Sequence, residues 1–557
     1  MKRTFIKDSK ASNNALHHLA NSLDFNPPRQ LFFNTSNTLH TFYTIMKNVI
    51  AAGDKITVDA ARTILEAGGN AYDAAVAACF TAMVAEPALT SAGGGGFLNA
   101  FPSSEKPIVF DFFVNTPSGT IDSTKLDFGP VHVDFGITKQ EFHIGPGSVG
   151  VPGIIKGLLH TQEQLGAVPI KTVLEPAIIA AKDGIVLSNK QANLLSLLEP
   201  IMGYEETSRE IFFRDGELIK GGTQLIMSEF ADFLDVLWRE GSDLFYRGEV
   251  AKLLLETMSP GGLVTQEDLK NYEVIERKPL VTPFNGYTVL QNPPPACGGI
   301  LIDFTLRLLE EAGCTSNHPV DQMHIATAFE LTNDIRRRHL EGHIYEPGLV
   351  NLYDRPFFEE YLQRFQHILS LPIERYNEPT GKGSTTHISV LDKEGNAASV
   401  TTSNGSGGGV MIPKTGIMLN NMLGEEDLNP EGFHLYKPGR RISSMIAPTI
   451  VLDDGKPILV TGSAGSNRIR SAIIHVLINV LCNDMGIAEA VEAPRLHFER
   501  GVLDVEPGFS EIDLECLEKR YKLQQWGQKN PYFGGANSVT PKGGHGDSRR
   551  GGSNTIF

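Results

Sequence analysis

Gly383-Ser384-Thr385-Thr386-His387-Ile388-Ser389-Val390-Leu391-Asp392 runs on through Gly395-Asn396 to Thr401-Thr402-Ser403-Asn404-Gly405. Small and polar residues from Asn377 to Ser384 read as a loop, whereas Thr386 to Leu391 and Ala397 to Thr402 alternate and are rich in β-branched side chains. That pattern predicts a hairpin turned at Asp392 to Asn396, with Thr385 standing where a loop meets a strand. The position suits a nucleophile exposed by internal cleavage. A threonine that becomes a chain end carries its own base, because an α-amino group titrates at roughly 7.7 to 8.0 and can take the hydroxyl proton. Most Thr-Thr pairs at strand starts are only good strand formers, so this reading needs support from the rest of the chain.

The chain has 557 residues, 41 % hydrophobic and 20 % charged, which is ordinary for a globular protein with a large core. Its net charge of −16 argues against nucleic acid as a partner, since phosphate binding needs clustered Lys and Arg. Arg336-Arg337-Arg338, the densest basic group, is expected to face solvent on a helix from about Val320 to Leu340. Five scattered cysteines without a CxxC spacing and sixteen histidines without HExxH indicate neither a disulfide framework nor a metal site, and no cofactor is expected. No apolar run approaches the ~18 residues a membrane helix needs. Residues 1–45 are polar, broken by Pro27-Pro28 and without a secretory apolar core, and are expected to be a disordered extension. The expected compartment is the cytoplasm, or the periplasm if the start is misassigned.

Further stretches are set by glycine, proline and helix caps. Thr57 or Asp59 is expected to cap a helix through Glu66, and Asn70 a second, apolar nearly all round, from Ala71 to Glu86. Ser91 to Phe97 holds four glycines without a nucleotide-loop register, so close backbone approach explains it better. Thr265-x-x-Asp268 is a capping box. Cys297, behind three prolines and ahead of a helix, has no evident base and reads as a packing thiol. Thr461-Gly462-Ser463-Ala464-Gly465-Ser466-Asn467 precedes an apolar helix from about Ile469 to Met485, where unpaired N–H groups can hold a developing oxyanion.

The run Thr385-Thr386-His387-x-Ser389-Val390-x-Asp392-x-x-Gly395-Asn396-Ala397 resembles the start of the small subunit of the γ-glutamyltranspeptidase family. Glu66-Ala67-Gly68-Gly69-Asn70-Ala71-x-Asp73-Ala74-Ala75-Val76, the glycines after Ser91, Arg440-Arg441-Ile442-Ser443-Ser444-Met445, and the turn at Gly465 match in the family's order from near Met46 onward. The resemblance implies an α+β fold, the four-layer αββα sandwich of N-terminal nucleophile hydrolases with added helices. It implies a proenzyme cut between Ser384 and Thr385, with residues 46–384 as large chain and 385–557 as small chain. The implied activity is hydrolysis or transfer of a γ-glutamyl amide such as glutathione through an acyl-Thr385 intermediate, with water or an amine as acceptor.

Site roles follow residue by residue from the same resemblance. Thr402 or Ser403 falls where a second hydroxyl bonds the nucleophile's amine, and Gly465 and Ser466 supply the oxyanion N–H groups, Ser466 replacing a glycine. Asn404 is a substrate contact, Glu425 binds the substrate's α-ammonium, and Ser443 and Ser444 face its carboxylate. Phe113 departs from the pattern: in glutathione-hydrolysing relatives this residue is an Arg that pairs with that carboxylate. Either Arg440 or Arg441 supplies the missing cation, or the substrate lacks the carboxylate. Two rival readings follow: an acylase for a related dicarboxylic or cephalosporin-type amide, and an uncleaved pseudoenzyme with a binding role.

Overall fold

The computed structural model describes residues 46–557 except 123, 135–138, 260, 315–319, 347–351, 353 and 371–384. The expected N-terminal extension and Ser384 therefore lie outside the described residues. Two antiparallel sheets form the centre. The first has seven strands in the order Ile275–Arg277, Ile108–Phe112, Gly95–Phe101, Ala397–Ser403, Thr386–Leu391, Val49–Ala52 and Ser553–Ile556. The second has six: Leu280–Phe284, Tyr287–Gln291, Thr449–Asp453, Lys456–Thr461, Ser538–Thr540 and Gly543–His545.

Side chains alternate across each strand, and here both faces are covered. Val49, Ala51, Leu391 and Ala397 from the first sheet meet Leu290, Ile450, Val460 and Val539 from the second in a core between the sheets. Ile50, Ala52, Val390 and Ala398 point the other way, into a core shared with the helices Lys55–Glu66, Ala71–Ala85 and Ile154–Leu165. The outer face of the second sheet packs Val289, Val451 and Leu459 against the helices Cys297–Glu311, Gln322–Ile335 and Arg468–Leu481. The result is the four-layer αββα arrangement. Among the described residues no helix is long and apolar enough to cross a membrane.

The hairpin forms where expected. Thr386 pairs with Thr402 and Leu391 with Ala397, and Asp392 holds the turn by accepting from the N–H groups of Glu394 and Asn396. Its second oxygen accepts from the Ala71 N–H, joining the turn to the start of the buried helix. That helix is capped by Asn70 with a reciprocal bond from Asp73, and all fifteen of its residues are buried, which explains its uniform apolarity. Three local expectations are corrected. The first helix starts at Lys55 under an Asp54 cap, because Asp54 is the side chain that accepts the Ile56 N–H. Arg336 is buried and ion-paired to Glu499 and Glu341, because the helix ends at Ile335 and a wider turn, Arg336–Leu340, swings it inward. The helix after the Gly465 turn ends at Leu481, short of Met485.

Helix Ile154–Leu165 lies so close to the first sheet that a Cβ on Gly157 would come 2.0 Å from Cγ of the buried Phe112 ring. In an open helix G157A gains ~1 kcal/mol in propensity, whereas overpacking a full core costs ~1 to 3 kcal/mol. G157A is expected to lower the urea midpoint; a higher midpoint would show that the contact relaxes freely.

Candidate active site

Strand parity decides what surrounds Thr385. Residues 385, 387, 389 and 391 face the second sheet: Ser389 donates to the Asn537 carbonyl, and His387 bonds Thr401 and Ser389 at 2.7 and 2.9 Å. Burial pushes the His387 imidazole down to about 3, so it is a neutral packing group between the sheets. Ser399 and Thr401 on the neighbouring strand share this face, and so does Ser403. The Thr385 hydroxyl donates to Ser403 Oγ at 3.4 Å, and Ser403 Oγ also accepts the Gly405 N–H at 3.0 Å. Thr402 has the opposite parity and bonds Thr90 at 3.0 Å on the helix side. Of the two hydroxyls the sequence left open, the structure brings Ser403 to Thr385.

Thr385 opens onto a small, partly open pocket. Its apolar wall is Phe113, Met422, Leu428, Met445, Ile446 and Ile469, and its polar groups come from Thr385, Ser403, Glu425, Asp427, Ser444 and Ser466. Glu425 is buried, accepts from Ser406 Oγ at 3.1 Å, and is pushed up to about 8 by burial and then by the charge of Asp427. Its neighbour Glu426 is exposed. Phe113 stacks on Phe97 with ring centroids 5.5 Å apart. Ser444 Oγ accepts the Ile446 N–H, while Ser443 lies beside Cys297 Sγ at 3.1 Å. Asn404 donates to the carbonyls of Met418 and Leu419. Ser443 and Asn404 are thus near the pocket in sequence but engaged with their own surroundings. Burial pushes the Cys297 thiol up to about 11, as suits a packing residue.

The expected donors lie in the turn between Lys456–Thr461 and the Arg468–Leu481 helix, where Ser466 lines the pocket and Gly465 is not among its lining residues. Gly465 has φ +118° and Ser466 φ +51°, and among the described residues no acceptor is paired with either N–H. Asp427, which sequence reasoning passed over in favour of Glu425, accepts from Ser466 Oγ at 2.6 Å and Asn467 Nδ2 at 3.0 Å. Neither candidate replacement for the missing cation lies on the pocket wall. Arg441 sits behind Phe113, ion-paired to Asp111 at 3.1 Å and donating to the Phe113 carbonyl and Tyr272 hydroxyl. Arg440 stacks over Tyr345 at 4.1 Å.

Two stacked antiparallel sheets between helical layers, with a threonine at the start of a central strand opening onto a pocket that Ser466 also lines, define an N-terminal nucleophile hydrolase. The model of the family Gamma-glutamyltranspeptidase matches residues 57–556, and the chain belongs to that family. The glutathione hydrolase proenzyme of Escherichia coli (strain K12) is 31 % identical over 502 residues, 85 % of each chain. The acylase ACY 1 proenzyme of Pseudomonas sp. (strain SE83) is 28 % identical over 482 residues, covering 85 % of this chain and 86 % of its own. The crystal structure of cephalosporin acylase from Bacillus halodurans superposes with a TM-score of 0.77 at 21 % identity, covering 96 % of this chain and 99 % of that one.

On the helix side of the Thr386–Leu391 strand, buried Glu86 accepts from Thr57 Oγ1 at 2.8 Å and Thr386 Oγ1 at 2.6 Å. The signal for it was a lone acid ending an apolar helix before Pro87. Burial pushes it up from 4.5 to about 7, against the pull of those two bonds. Because the folded value lies above the unfolded one, its contribution to stability is fully present below the unfolded value and is lost as pH rises through about 7. E86Q keeps an acceptor and adds a donor, so it is expected to remove roughly 3 kcal/mol of pH dependence. Thermal midpoints at pH 5 and 8.5 test this: the wild type should lose more than E86Q on going to pH 8.5.

Proposed function

We propose that this protein cleaves itself ahead of Thr385 and then works as a threonine amidohydrolase or transferase on γ-glutamyl amides such as glutathione. The observation that carries the reading is the Thr385 hydroxyl, held by Ser403 on the inner face of the sheet and opening onto the pocket bounded by the Gly465-Ser466 turn. Thr385 Oγ attacks the amide carbonyl while its freed α-amine takes the hydroxyl proton and passes it to the leaving amine. The N–H groups of Gly465 and Ser466 hold the tetrahedral oxygen, and collapse leaves an acyl-Thr385 ester. Water or an amine, deprotonated by the same α-amine, then releases the acyl group. Ser403 Oγ orients the amine, and Glu425, once ionised, receives the substrate's ammonium. Residues 46–384 and 385–557 form the two chains of one catalytic unit.

A second reading keeps this chemistry and changes the acyl group. Phe113 puts an aromatic ring where a carboxylate-binding cation is expected, and Arg441 is already engaged by Asp111. An unpaired buried carboxylate costs several kcal/mol, on the order of 3 to 5 when a partner is removed, so an acylase for an amide without the α-carboxylate has specific support.

Denaturing gels and N-terminal sequencing check the main claim. The wild type is expected to resolve into two pieces, the smaller beginning at Thr385, and T385A to remain one inactive chain; an active single chain would refute the mechanism. Comparing γ-glutamyl and glutaryl p-nitroanilides with 4-aminobutyryl p-nitroanilide separates the two readings. Preference for the γ-glutamyl compound supports the first. If the second holds, 4-aminobutyryl is favoured about tenfold or more, and F113R shifts the preference back toward γ-glutamyl by restoring a charge-assisted pair.

A further inference from the structure

Asp427 is engaged in a way that the acyl-transfer reading does not require. Its carboxylate receives Ser466 Oγ on one oxygen and Asn467 Nδ2 on the other, at 2.6 and 3.0 Å. It belongs to the short turn Glu426–Leu428 directly after Glu425, whereas Ser466 and Asn467 belong to the turn entering the Arg468–Leu481 helix. The clasp therefore ties the turn carrying the acid on the substrate side to the turn carrying the oxyanion donors. Ser466 needs such a tie. At φ +51° it occupies the left-handed region that a side chain disfavours, and its N–H direction depends on staying there.

We propose that Asp427 is a positioning residue for acyl transfer: by clasping the Ser466 hydroxyl and the Asn467 amide it holds the Ser466 N–H toward the tetrahedral oxygen. Resting on the acyl-transfer reading, this adds a residue that acts through another. Asp427 also lines the pocket, so the experiment separates holding Ser466 from touching substrate.

The test compares wild type, D427A, D427N, S466A, S466G and D427A/S466G on whichever anilide above the wild type turns over fastest. Cleavage on a denaturing gel and the thermal midpoint are recorded for each. Removing an oxyanion donor outright costs about 100- to 1,000-fold in rate; a donor left in place but loosened should cost less, about ten- to hundredfold. D427A and S466A are each expected to lose that much kcat with KM within about threefold. Measured against S466G as its background, D427A should cost less than about threefold, since glycine enters that backbone region without a clasp. An undiminished D427A loss in the S466G background, or a loss expressed in KM, would assign Asp427 to the substrate and overturn the proposal. If D427A does not cleave itself, D427N, which keeps the shape and one acceptor, should show a smaller kcat loss; wild-type kcat in D427N or in D427A overturns it as well. A wild type that cleaves no anilide at all defeats the acyl-transfer reading together with this one, and is recognised by the wild-type arm alone.

Discussion

The pairing of Thr386–Leu391 with Ala397–Ser403 governs the rest of the structure. Its register divides every nearby side chain between two destinations. Odd-numbered positions enter the space between the sheets and meet the second sheet, while even-numbered ones reach the helices. A slip of one residue would exchange the two sets. Thr385 would then face Glu86 and the apolar helix, and no pocket would lie before its hydroxyl. His387 guards against such a slip: it fills the inner face so tightly that a Cβ on Gly462 would lie 2.2 Å from its ring.

Charge is managed differently on the two sides of the pocket. Behind Phe113, Asp111 is satisfied by Arg277 and Arg441, and Arg441 in turn covers the Phe113 and Glu273 carbonyls. That network is closed on itself and gives nothing to a ligand. Along the pocket itself Glu425 and Asp427 bring two carboxyls together, Asp427 held in its clasp and Glu425 raised to about 8.

Much of the fold was legible because local signals agreed: the Asn70 capping box, the uniformly apolar helix behind it, and the alternating hairpin all specify one arrangement. The layers and the assignment of Gly465, Ser466 and Glu425 rested on family resemblance, since periodicity says nothing about which loops meet in space. The choice between Thr402 and Ser403 needed the cross-strand register, after which parity alone decides it. Asp427 and Glu86 were missed for a common reason. Each bonds a partner distant in sequence, Ser466 in one case and Thr57 with Thr386 in the other, and only packing reveals such partners. Arg336 was misread because a short basic run usually faces water; a wide turn at the helix end sends just the first of the three inward.

The strand order of the seven-stranded sheet has a topological result. Val49–Ala52 is flanked by Thr386–Leu391 on one side and Ser553–Ile556 on the other, while Gly95–Phe101 borders Ala397–Ser403. The proposed break ahead of Thr385 would thus sever one covalent link and leave every rung of the ladder in place. Neither fragment owns a contiguous half of the sheet, so each would present several raw edges if made alone. Two pieces so made would have to form as one polypeptide and remain interdigitated, the scission freeing the Thr385 amine without rearranging the sheet.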